Sequence, residues 1–142
     1  MFIQQLSVYI ENHQGRLADF CALLGGNDID LSALSIADTS NFGLIRAIVS
    51  DNEKALALLQ QNGFAASLTP VLAVSVADAP SGLAAILQIL REGGLSIEYL
   101  YSFMRRINHE AVILFRFDQP EPAAKLLLSR GVRLLSQEEI AS

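Results

Sequence analysis

Two short segments carry the residue types best suited to holding a small ligand: Asn12-His13-Gln14-Gly15-Arg16-Leu17 and Asp78-Ala79-Pro80-Ser81-Gly82-Leu83. Each joins a segment with strand-like alternation to one with helical periodicity, so each is expected to be a strand-to-helix turn. A helix start presents unpaired backbone N–H groups and a partial positive charge, which together seat a carboxylate. Gly15 lets the backbone approach a ligand closely, and the Asn12 amide offers both a donor and acceptors. An ammonium group would need acceptors. The Asn12 side-chain oxygen and Asp30 supply them, provided that Asp30, at the opening of the second strand, runs beside the entry of the first helix. That combination suits an α-amino acid. The competing reading is that Asn12 and Asp78 cap their own turns and hold nothing.

Catalytic chemistry finds little support. A nucleophile needs a neighbouring base, and the single cysteine, Cys21, falls on the apolar stripe of the first helix, where it is expected as a buried core thiol. His13 and His109 form no recognisable pair, and His109 reads as an exposed turn residue. Gly25-Gly26 and Gly93-Gly94 follow helical segments rather than precede them, so no phosphate-cradling loop is indicated. One cysteine and two isolated histidines make no metal site, and no cofactor is implied. With 15 acidic against 10 basic residues the net charge is −5, a balance that repels nucleic-acid backbones.

The elements that must position the two turns repeat along the chain. At an offset of 66, Leu17, Phe20, Cys21 and Leu24 fall on Leu83, Ile86, Leu87 and Leu90, both sets stepping as one stripe of a helix. Each helix is followed by glycines expected to take the left-handed closing conformation, Gly25-Gly26 and Gly93-Gly94. Segments 29–34 and 95–100 alternate alike, the offset grows to 67 at Asp51 and Asp118, and it reaches 68 at Gly63 and Gly131. Strands are expected at 2–10, 29–38, 42–50 and 64–69, then 71–77, 95–104, 110–117 and 132–135, and helices at 15–25, 52–62, 81–92 and 121–130. The fold class is α+β: a ferredoxin-like βαββαβ unit repeated twice, with antiparallel sheets carrying helices on one face. Residues 1–69 form the first unit and 70–142 the second, meeting at Thr69-Pro70-Val71.

No signal-peptide pattern opens the chain and no apolar run reaches membrane-spanning length, so a cytoplasmic protein without membrane contact is expected. The segment Ala111-Val112-Ile113-Leu114-Phe115 is apolar on both faces, which suggests a further copy of the chain as a homodimer partner.

Glu11 to Leu17 followed by Asn27-Asp28-Ile29-Asp30-Leu31, and Asp78 to Leu83 followed by Gly93-Gly94-Leu95-Ser96-Ile97, resemble the signature of ACT domains. The resemblance spans both halves and is similar to the small stand-alone tandem members. It implies regulatory modules that bind amino acids at an interface between domains, held by the first turn and the start of the second strand. By position this implicates Asn12, Gln14, Gly15, Arg16, Leu17 and Asp30 in the first half, and Asp78, Ser81, Gly82, Leu83 and Ser96 in the second. The chain departs from the family pattern at Ile10, where a serine-binding relative has a ligand-contacting histidine, at Gln14, where proline is usual, and at Ser81, in the usual glycine place.

The expectation is therefore a non-catalytic module sensing an amino acid, with a regulated partner that the residues do not name. The alternative is an RNA- or protein-interaction module on the same strand order. It draws on Tyr99, Tyr101 and Phe103, which share one strand face, and on Arg105 and Arg106 beside them.

Overall fold

The computed structural model describes residues 2–11, 14–38 and 42–141. In chain order the elements are β1 (Ile3–Glu11), α1 (Arg16–Gly25), β2 (Leu31–Asp38), β3 (Phe42–Val49), α2 (Asn52–Gln61), β4 (Ala65–Val76), α3 (Gly82–Glu92), β5 (Ile97–Ser102), β6 (Ala111–Phe117), α4 (Pro120–Ser129), β7 (Leu134–Leu135) and α5 (Gln137–Ala141). Two compact units result: Gln4–Thr69 with Ala141, and Pro70–Ile140 with Phe2 and Ile3.

In the first unit the strand order is β2-β3-β1-β4, with β1 and β2 both antiparallel to β3. Alternation along β1 sends Leu6, Val8 and Ile10 into a core with Ile45, Ala47 and Val49 of β3, while Ser7 and Tyr9 face the other way. Phe20 and Leu24 of α1 and Ala55 and Leu59 of α2 close that core from the helix side, and Phe20 meets Phe64 edge to face at 6.3 Å.

The second unit repeats the plan as β7-β4-β6-β5, its β4 contribution beginning at Pro70. Leu72, Val74, Phe115 and Phe117 pack against Ile86 and Leu90 of α3 and Leu127 of α4. The register repeats as well: Val8 opposes Ile45 as Val74 opposes Ile113, and β2 and β5 both carry an irregularity at their second residue, between Leu31 and Ala33 and between Ile97 and Tyr99.

Several sequence expectations change. The strands expected at 64–69 and 71–77 are one, because β4 runs unbroken through Thr69-Pro70-Val71, where the two units divide. Proline costs a strand only its N–H, and the Pro70 carbonyl still accepts from Arg116 Nη1 at 2.9 Å. Cys21 is exposed rather than buried. At 100° per residue it sits well around the helix from the Phe20–Leu24 line that is buried, and its counterpart Leu87 is only half-buried. The left-handed closing residue of α1 is Asp28 (φ 57°), the counterpart of Gly94 (φ 67°), while Gly26 stays right-handed at φ −67°.

The offset of 67 at Asp51 and Asp118 also gives way. The residues preceding α2 and α4 are Asp51 and Gln119, so the offset there is already 68. Finally, β6 is apolar on both faces because it is buried within one chain: Val112, Leu114, Phe115 and Phe117 are each at most 2% exposed. Its composition therefore does not call for a second copy.

Candidate functional site

The β1–α1 turn is built by a glycine. Gly15 precedes α1 at φ 90°, a left-handed conformation that other residues adopt only at a cost, and open space surrounds the place of its missing Cβ. Its carbonyl starts the helix by accepting from the Asp19 N–H at 2.9 Å, and as a glycine it brings no capping side chain of its own. The N–H groups of a first turn have no partner within the helix. Gln14 is exposed beside them, and Leu17 leans half-buried onto the core. The guanidinium of Arg16 lies 3.9 Å from the Phe64 ring centroid and 3.9 Å from the Asp19 carboxylate. Asn12 lies outside the described residues, as does His13.

Asp30 is not brought to this turn. It follows the C-terminal end of α1, where the Ile29 N–H bonds back to Leu24 O at 3.0 Å. Its own N–H donates to Ser50 Oγ at 2.9 Å, and its carbonyl accepts from the Ser50 N–H at 3.0 Å. Ten helical residues separate it from Gly15, about 15 Å at 1.5 Å per residue. The reason lies in the topology: α1 carries the chain back, so β2 begins where α1 ends. Within one unit, the turn and Asp30 occupy opposite ends.

The second unit places its candidates likewise but fills the turn differently. Ser81 stands in the position of Gly15, at φ −99° and without a side-chain cap bond. Gly82, where the first unit has Arg16, is buried, and a Cβ on it would come within 1.9 Å of the Ala77 carbonyl oxygen. That glycine serves the close packing of α3 on the end of β4. Asp78 is ion-paired with Arg106 at 2.5 Å, and Leu83 packs on the core. Ser96 mirrors Asp30 at the far end: its N–H donates to Asp118 Oδ1 and its carbonyl accepts from the Asp118 N–H, both at 3.3 Å.

Sequence reasoning missed an open cleft of about 320 Å³ next to the first turn, lined by Tyr9, Gln60, Phe64, Ala65, Ala66 and Ser67. Only the pairing of β1 with β4 assembles it, and no local motif announces that pairing. Tyr101 and Phe103, offered above as a stacking surface, are 8% and 7% exposed and so cannot receive bases. His109 is exposed, as expected. With Asn108 it forms a two-residue hairpin, φ 67° and 54°, between Ile107 and Glu110, in the manner of a type I′ turn. Among the described residues no cluster of metal-ligating side chains occurs, and no helix is long and apolar enough to cross a membrane.

The whole chain, residues 1–142, matches the family described as an ACT domain pair. Among solved structures it is similar to protein BT0572 from Bacteroides thetaiotaomicron, with 37% identity, a TM-score of 0.92, and coverage of 100% of this chain and 97% of that one. The regulatory subunits of aspartate kinase from Thermus thermophilus and Thermus flavus share the fold. Their identities are 17% and 18%, their TM-scores 0.64 and 0.60, with 89% of this chain covered in both cases and 91% and 90% of theirs. No curated protein matches the chain in sequence. The duplicated βαββαβ units and the whole-length match together make this chain a member of the ACT domain pair family.

Proposed function

We propose that this ACT pair is a non-catalytic, cytoplasmic regulatory module that senses a small amino acid at an interface between ACT units, its two units being residues 1–69 and 70–142. The observation that carries the reading is Gly15: a left-handed helix start without a side chain of its own, with open space where a Cβ would stand. An amino-acid carboxylate docks on such N–H groups, and Asn12 is assigned to the ammonium. Gln14, Arg16 and Leu17 complete the turn. Asp30 takes part only when another ACT unit presents it, since its own unit holds it at the far end.

Asp78, Ser81, Gly82, Leu83 and Ser96 are assigned a supporting role. Arg106 pairs with Asp78, and the second turn has Ser81 at φ −99° in place of the left-handed Gly15. A homodimer accords with Phe42 and Ile36, large apolar residues that stay 52% and 45% exposed.

The test is a thermal-shift panel of the twenty amino acids. A ligand at 100 times its Kd stabilises the folded chain by about 2.7 kcal/mol, a readily measured rise in Tm. Twenty unchanged transitions would refute the reading.

A further inference from the structure

The cleft beside the first turn has no role in the reading above, yet it adjoins the proposed ligand seat. Phe64 connects the two, since its ring carries the Arg16 guanidinium at 3.9 Å and also forms a wall of the cleft. We propose that this cleft receives the side chain of a neutral, apolar α-amino acid whose backbone groups sit at the Gly15 turn. This rests on the amino-acid-sensing reading and adds the class of ligand to it.

The lining decides the class. Tyr9 supplies the exposed aromatic surface, Ala65 and Ala66 add methyl groups, Phe64 lies buried behind them, and none of the six lining residues carries a charge. A charged side chain keeps its water in such an open cleft and gains little, whereas an apolar one sheds water against Tyr9, Ala65 and Ala66. Polar groups stand among the apolar ones, as in other small-molecule sites: the hydroxyls of Tyr9 and Ser67, and the Gln60 amide, fixed by its 3.2 Å bond to the Ala66 carbonyl.

In the sister unit three of the counterpart positions carry different residues. The counterpart of Tyr9 is Ser75, whose hydroxyl donates to Glu110 Oε2 at 3.0 Å. Ser67 corresponds to Leu135, which is 1% exposed, and Ala65 to Arg133, which is ion-paired with Glu139 of α5.

Calorimetric titration of the intact chain with leucine, phenylalanine, aspartate and lysine tests the assignment. Leucine or phenylalanine is expected to bind at least tenfold more tightly than either charged amino acid. Ser67→Phe fills the cleft from an exposed position and is expected to weaken that binding at least tenfold. Tyr9→Ala, which removes a wall that is 57% exposed, gives the same result if Ser67→Phe misfolds. Equal affinity for charged and apolar ligands would overturn the proposal, as would binding indifferent to both substitutions. If that indifferent binding is lost in Asn12→Ala, the sensing reading stands and the cleft assignment alone falls. Wild-type protein that binds none of the four, nor any other amino acid, overturns both.

Discussion

The Arg16 guanidinium stacks over the Phe64 ring at 3.9 Å, tying the first residue of α1 to the residue that precedes β4. The contact joins the β1–α1 turn to the core, since Phe64 is 6% exposed and meets Phe20 edge to face. Arg16→Ala is expected to lower stability by about 0.5–1 kcal/mol, the worth of a partly exposed cation–π contact. Urea denaturation checks it, and Arg16→Lys should recover only part of the loss, because an ammonium lacks the flat face that stacks.

The two turn glycines predict different costs for the same substitution. Gly82→Ala drives a methyl group into the Ala77 carbonyl, so a loss of about 1–3 kcal/mol is expected from forced backbone shifts. Gly15→Ala meets no neighbour and is penalised only by its φ of 90°, about 1–2 kcal/mol. Chemical denaturation of both variants should rank Gly82→Ala as the more damaging, with amino-acid binding impaired chiefly in Gly15→Ala.

The repeat itself was legible because it is written in local patterns: the helix stripes at Leu17, Phe20, Leu24 and at Leu83, Ile86, Leu90 are the stripes that the two cores bury or half-bury. What local patterns could not convey was direction. Asp30 follows Asn12 closely in the sequence, yet α1 turns the chain around and places Asp30 at the other end of the unit. The cleft was hidden for a related reason, since Tyr9 and Ser67 meet only through long-range strand pairing. Pro70 read as the gap between two strands, although a single strand accommodates it at the cost of one donor. The helix α5 is only five residues long and escaped notice, despite the Ser136 and Glu139 signature at its start.

That signature makes α5 sensitive to acid. The Ser136 N–H donates to Glu139 Oε1 at 3.1 Å, the Glu139 N–H donates to Ser136 Oγ at 3.2 Å, and Arg133 pairs with the same carboxylate. The Ser136 backbone bond first, and then Arg133, hold the Glu139 carboxyl below its ordinary range. A depressed carboxyl contributes stability above its unfolded value and loses it as pH falls through the folded one. Hydrogen exchange of the α5 amides should therefore accelerate as pH drops below the ordinary glutamate range, relative to the intrinsic rate. In Glu139→Ala, which removes the accepting oxygen, the exchange should be fast already at neutral pH and lack that transition.

The second unit's ion pair predicts an asymmetry in the effects of charge removal. Arg106 and Asp78 meet at 2.5 Å with both side chains substantially exposed, so Arg106→Ala is expected to cost no more than about 1 kcal/mol. Amino-acid binding should be unaffected, because that turn is assigned no ligand. Titration of Arg106→Ala beside wild type checks both expectations.

The central claim is one amino-acid site per chain, at the Gly15 turn of the first unit. Its most direct test is the calorimetric stoichiometry of the tightest-binding amino acid on wild type, Asn12→Ala and Asp78→Ala. One ligand per chain is predicted for wild type and Asp78→Ala, with affinity weakened at least tenfold in Asn12→Ala. Two equivalent sites per chain, equal loss in both variants, or a flat titration of folded protein with all twenty amino acids would contradict it.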